Sequence, residues 1–143
     1  MPFRNNGPRK PERVAGRSDL NARDPKLTVL LFNEHITRHD LPALSALMSA
    51  DHLFVDREGN TERSREKMTH GWGEFFRMFP EYRNTFVRLE SREDTVVILG
   101  HAYWNEKEAH DPAIWVAKIE DDLVAEWRIY YDTDENREKI GIR

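Results

Sequence analysis

The 143-residue chain contains no cysteine, so neither a disulfide nor thiolate chemistry enters its account. No apolar run approaches the roughly 18 residues of a membrane helix. The basic N-terminal stretch lacks the apolar segment of a secretory signal. A cytoplasmic protein without a membrane partner is therefore expected. The seven glycines form no phosphate-binding loop, and no nucleophile elbow is present. His101, His110 and Asp111 lie close in sequence but match no zinc or iron spacing. No metal and no cofactor is expected.

Charge is abundant but unevenly placed. Residues 1–26 carry seven Lys or Arg against three acidic residues, a balance of +4. The total of −4 leaves −8 on the remainder, which argues against a nucleic-acid-binding surface there. Residues 1–25 are rich in proline, glycine and asparagine and show no periodicity, so they read as an extended or disordered basic arm. The length suits one domain, over 26–133, followed by a C-terminal tail over 134–143.

Within that domain three helices come first. One is expected from Pro25 to His39, with apolar residues on more than one side. Asp40 caps a short second helix with Pro42 in its first turn. After a brief strand over His52–Asp56 and a turn over Arg57–Thr61, Ser64 caps a third helix. Its stripe of Met68, Trp72, Phe75, Phe76 and Phe79 recurs at helical spacing, and Pro80 ends it. Gly71 and Gly73 flank Trp72 and cost this helix up to ~1 kcal/mol each relative to alanine, as if something packs close. Four strands follow, over Tyr82–Glu90, Thr95–Trp104, Ala113–Ile119 and Leu123–Asp132, joined by short turns into an antiparallel meander. In the last strand, alternation puts Leu123, Ala125, Trp127, Ile129 and Tyr131 on one face. The fold class is α+β, with helices packed on one face of a curved, mostly antiparallel sheet.

Four segments in this order carry a family resemblance. They are Ala50-Asp51 leading to Val55-Asp56-Arg57-Glu58-Gly59, Ser64-Arg65-Glu66 opening a helix, Phe79-Pro80-Glu81-Tyr82-Arg83, and Glu126-Trp127-Arg128-Ile129-Tyr130-Tyr131-Asp132. With the element order, they resemble the cone-shaped fold of the SnoaL-like and NTF2-like proteins. That superfamily includes polyketide cyclases, ketosteroid isomerase and limonene epoxide hydrolase. The resemblance implies a pocket at the wide end of the cone, and it covers residues 27–132.

It implies site residues only position by position. Asp56 falls where ketosteroid isomerase keeps its general base, and a carboxylate at an apolar mouth suits proton abstraction. That isomerase's oxyanion-hole tyrosine and acid positions are Phe32 and Trp115 here, which disfavours steroid-type isomerisation. The hydrolase's aspartate position is Ile129, and the cyclases' acid position is Tyr131; Asp132 lies next to it on the opposite face.

Trp104, Trp115, Trp127 and Tyr131 share the expected inner face, as aromatic core or as the walls of a pocket. Asp56 is either a catalytic base or the cap of the turn toward Gly59. His101 is either an inward acid–base partner of Asp56, or an outward residue beside Val97, Leu99 and Tyr103 on a dimer-forming face. Two functions follow. One is a pocket for a small apolar cyclic molecule, with cofactor-free isomerase, cyclase, dehydratase or hydratase chemistry through Asp56 and His101. The other is a non-catalytic ligand-binding or dimerisation module. A homodimer through the sheet is expected under both.

Overall fold

The structure, a computed structural model, describes residues 23–143; the basic arm expected over 1–25 lies almost wholly outside them. Helix α1 spans Pro25–Arg38, with the Asp24 carboxylate accepting the Lys26 backbone N–H and Pro25 in the first turn. His39 ends it in the left-handed region, at φ 54°. Helix α2, Leu41–Ala46, is capped by Asp40, whose carboxylate accepts the Ala43 N–H at 3.2 Å. Strands β1 (Met48–Val55) and β2 (Thr61–Arg63) pair antiparallel as a hairpin. Helix α3, Arg65–Met78, starts at Ser64, whose hydroxyl accepts the Lys67 N–H at 3.1 Å.

Strands β3 (Arg83–Arg92), β4 (Thr95–Tyr103), β5 (Asp111–Glu120) and β6 (Leu123–Tyr131) form the expected meander. The six strands make one sheet in the order β2-β1-β6-β5-β4-β3. The β1–β6 pair is parallel and joins the first hairpin to the meander. Together these elements form an α+β fold with a curved six-stranded sheet.

Two irregularities mark the pairing of β1 and β6. In β6, Val124 lies opposite Ile119 while Glu126 lies opposite Lys118, so one extra residue is inserted at Ala125. Val124 and Trp127 therefore both enter the inner core, where strict alternation would have put Ala125 with Trp127. In β1 the pairing with β6 shifts between Met48 and Leu53, and alternation along the strand puts His52 inward with Met48 and Phe54, with no exposed surface. The His52 Nδ1–H donates to the Val124 carbonyl at 2.7 Å, tying the two irregularities together.

The inner face of the sheet and helices α1–α3 enclose the main core, in which Phe32 packs on Trp127 with ring centroids 4.7 Å apart. The outer face carries a second, smaller core. Val97, Leu99 and Ile114 are buried there beneath Ile142, itself only 1% exposed. Ile142 is brought over the sheet by a fourth helix, α4 (Asp134–Ile140), capped by Thr133 and closed by Gly141 at φ 84°. The segment 134–143 is thus packed structure, not a tail. It covers residues of the outer face expected to meet a second copy of the chain.

Candidate ligand cavity

A cavity of about 890 Å³ opens between α3 and the inner face of the sheet. Its deep walls are apolar: Phe54 from β1, Met68, Trp72 and Phe75 from α3, and Trp115 and Ile129 from β5 and β6. The helix offers this side because Met68, Trp72 and Phe75 recur at i, i+4 and i+7. Gly71 borders the cavity, and no heavy atom comes within 4 Å of where its Cβ would be. Gly73, by contrast, lets α2 approach, with Leu41 Cδ2 3.2 Å from the corresponding point.

Trp104 lies just after β4 and meets three rings edge-on, with centroids 5.5 Å from Phe75, 4.9 Å from Phe79 and 4.9 Å from Tyr82. Tyr82 is buried against the same cavity, and burial pushes its phenol well above the usual tyrosine range.

At the mouth, Arg57 and Asp111 form a two-pronged ion pair, Nη1–Oδ1 3.1 Å and Nη2–Oδ2 2.8 Å. The Trp104 indole N–H donates to the same Oδ2 at 3.0 Å. The Arg57 guanidinium also lies over the Tyr131 ring, 4.6 Å from its centroid, and the Tyr131 hydroxyl donates to Glu58. Burial alone raises the Asp111 carboxyl, but the Arg57 and Trp104 hydrogen bonds with the Arg57 charge outweigh it. The carboxyl ends below its ordinary range. Arg57 is correspondingly raised, first by its hydrogen bond to Asp111. Among the described residues no three His, Asp or Glu side chains converge as a metal's ligands.

The aromatic residues singled out from sequence divide into three groups. Trp104 and Trp115 line the cavity. Phe32 and Trp127 do not: both are fully buried in the core behind it, where the α1 ring packs on that of β6. Tyr131 is 46% exposed and stands at the rim through its contacts with Arg57 and Glu58.

Asp56 borders the mouth, but its carboxylate is committed to the turn. Oδ1 accepts the N–H groups of Glu58 and Asn60, each at 2.9 Å, and Oδ2 accepts the Asn60 amide at 3.2 Å. His101 faces the opposite way. Strand parity sets Val96, Ile98 and Ala102 inward, and His101 outward with Val97 and Leu99. Its ring packs 4.1 Å from that of His110, and burial together with that neighbour lowers its pKa. Asp56 and His101 are therefore not brought together.

Arg57 and Asp111 were not singled out as site residues. Their positions in a turn and at a strand start, 54 residues apart, leave no local spacing by which to recognise them. The aromatic stripe of α3 was visible, but its cavity-facing role was not.

The chain resembles several solved structures at low identity. A putative SnoaL-like polyketide cyclase from Shewanella putrefaciens CN-32 superposes with a TM-score of 0.69 at 14% identity, covering 88% of this chain and 91% of that one. An LEH-like epoxide hydrolase from M. tuberculosis gives 0.65 at 14% identity, covering 76% and 82%. A putative polyketide cyclase from Sinorhizobium meliloti gives 0.65 at 15% identity, covering 71% and 92%. No curated protein sequence matches the chain. The sequence profile of the SnoaL-like domain matches residues 29–127, from the middle of α1 through the core tryptophan of β6, and the chain belongs to the SnoaL-like domain family.

Proposed function

We propose that the protein binds a small, mainly apolar, ring-bearing molecule in its inner cavity. The observation that carries this reading is the cavity itself, about 890 Å³, with aromatic walls and its polar groups gathered at the mouth. Ligand sites of ~300–1,000 Å³ commonly have this division between apolar walls and a few fixed polar groups. Aromatic edges around Trp104 suit the face of a flat ring, which burial would stabilise by about 25 cal/mol for each Å² removed from water. Native mass spectrometry of the purified protein tests the reading, followed by thermal-shift screening with cyclic ketones and polyketide-like compounds. A co-purifying ring compound, or a raised melting temperature abolished by Trp115→Ala, supports it. Failure of every ring compound to bind the folded protein overturns it.

A second reading, cofactor-free acid–base catalysis, is favoured by the Asp111 carboxylate at the edge of an apolar cavity. The cyclase and hydrolase names of its structural neighbours point the same way. In this reading Asp111 replaces Asp56 as the working carboxylate, since Asp56 is occupied in its turn. Turnover of a bound compound that survives in Asp56→Asn and disappears in Asp111→Asn, with binding retained in both, would establish it.

A further inference from the structure

The mouth of the cavity carries information about the ligand's polar end. Asp111 holds the Arg57 guanidinium through both terminal nitrogens, so the arginine's charge is already matched. Asp111 Oδ2 has two protein donors, Arg57 Nη2 and Trp104 Nε1. Oδ1 has one, Arg57 Nη1, which leaves it room for another donor. Among the described residues Arg57 Nε–H has no protein acceptor, since the guanidinium's hydrogen bonds run from its two terminal nitrogens.

Both side chains are about one-fifth exposed, at 21% and 19%, so a bound molecule can reach them. The rest of the mouth is acidic: Asp56, Glu58, Glu62 and Glu66 stand against Lys67. A cleft lined by one sign of charge beside low-dielectric walls repels ligands of that sign.

We propose that the Arg57–Asp111 pair is a charge-neutral anchor for an uncharged ligand group that donates one hydrogen bond and accepts another. A hydroxyl next to a ketone on an apolar ring system is such a group, and ligands ending in a carboxylate or phosphate are excluded. Asp111 Oδ1 takes the hydroxyl proton in a hydrogen bond, and Arg57 donates to the carbonyl. This assignment rests on the cavity being the ligand site and adds the class of ligand it takes.

The test is calorimetric titration at pH 7 with a matched series: tetralin, 1-tetralone, 2-hydroxy-1-tetralone and 1,2,3,4-tetrahydro-2-naphthoate. The hydroxyketone is expected to bind about tenfold more tightly than tetralone, as one added charge-assisted hydrogen bond allows, and the naphthoate not at all. Asp111→Asn should abolish the hydroxyketone's advantage. It should also let the naphthoate bind, because it releases the Arg57 charge, and a merely structural role for Asp111 would not produce that exchange.

Equal affinities for tetralin, tetralone and hydroxyketone would overturn the anchor while leaving the cavity as a binding site. So would tightest binding of the naphthoate to the unmodified protein. Absence of binding by all four compounds would overturn the anchor and the cavity reading together. The comparison within the unmodified protein decides the matter even if the variant fails to fold.

Discussion

Arg57 and Asp111 meet across 54 residues of sequence in a bidentate pair, 2.8 Å at its shorter contact, at the mouth of the inner cavity. The pair joins the turn after β1 to the start of β5, two elements that no backbone hydrogen bond connects. Replacing Asp111 by alanine leaves a guanidinium and an indole N–H without their acceptor, which costs about 2 kcal/mol. The carboxyl is depressed in the folded state, so its stabilisation is complete above the ordinary carboxylate range near ~4 and is lost as pH falls through the lower folded value. Urea unfolding of Asp111→Asn should therefore lose stability less steeply below pH 4 than the unmodified protein.

His52 has the same sign and acts in a higher pH window. Burial lowers its pKa, while the Val124 hydrogen bond and the charges of Glu126 and Asp51 oppose the shift in part. Below about pH 6.5 the unfolded chain takes a proton at this site that the folded chain refuses, so stability falls on acidification. One such group contributes a slope of up to ~1.4 kcal/mol per pH unit. Between pH 7 and 5, His52→Leu should show a shallower loss than the parent. His101 shifts in the same direction and remains in both proteins, so it cancels from the comparison.

Asp56→Ala removes three hydrogen bonds from the turn toward Gly59 and should cost about 1 kcal/mol. Affinity for a cavity ligand should not change, because the carboxylate has no role there beyond the turn. A loss of affinity tenfold or greater, measured by titration, would restore Asp56 as a contact.

Two glycines should respond in opposite directions to alanine. At Gly100 a Cβ would stand 2.1 Å from the Thr85 carbonyl oxygen, where β3 shifts register between Phe86 and Arg88, so Gly100→Ala should cost at least ~3 kcal/mol. At Gly71 the space is open, so Gly71→Ala should stabilise α3 by about 0.5–1 kcal/mol. Thermal melts of the two variants check both signs.

Ile142→Ala should destabilise the fold by about 3 kcal/mol, the cost of a core isoleucine, although it lies eleven residues beyond the last strand. Equilibrium denaturation of this single variant is a sufficient test.

Helices α1–α3 and the long strands could be read from sequence because each repeats a local period and carries its own start or stop signals, such as Ser64 before α3 and Pro80 after it. Register could not. The inserted residue at Ala125 moves Val124 inward, and the pairing of β1 with β6 shifts between Met48 and Leu53, and neither change has a signature in residue type. Alternation would have put Ala125 inward where Val124 stands, while Trp127 does face inward but packs on Phe32 behind the cavity wall that Trp115 reaches. The Arg57–Asp111 pair depends on how a turn and a distant strand start meet, which is a property of the assembled sheet and not of either segment. Helix α4 was missed because its seven residues are mostly charged, with only Ile140 and the following Ile142 to mark the side that packs.

The position of Ile142 has a consequence during synthesis. All six strands are complete in the nascent chain once Tyr131 has emerged, and the inner core can then close. Val97, Leu99 and Ile114 remain bare on the other face until eleven further residues have left the ribosome. For that interval the nascent protein presents an uncovered apolar patch, the kind of surface that draws chaperones or neighbouring chains. Arg88 and Arg92 on β3 then bind the backbone carbonyls of Ile140, Gly141 and Arg143 and hold the cover in place.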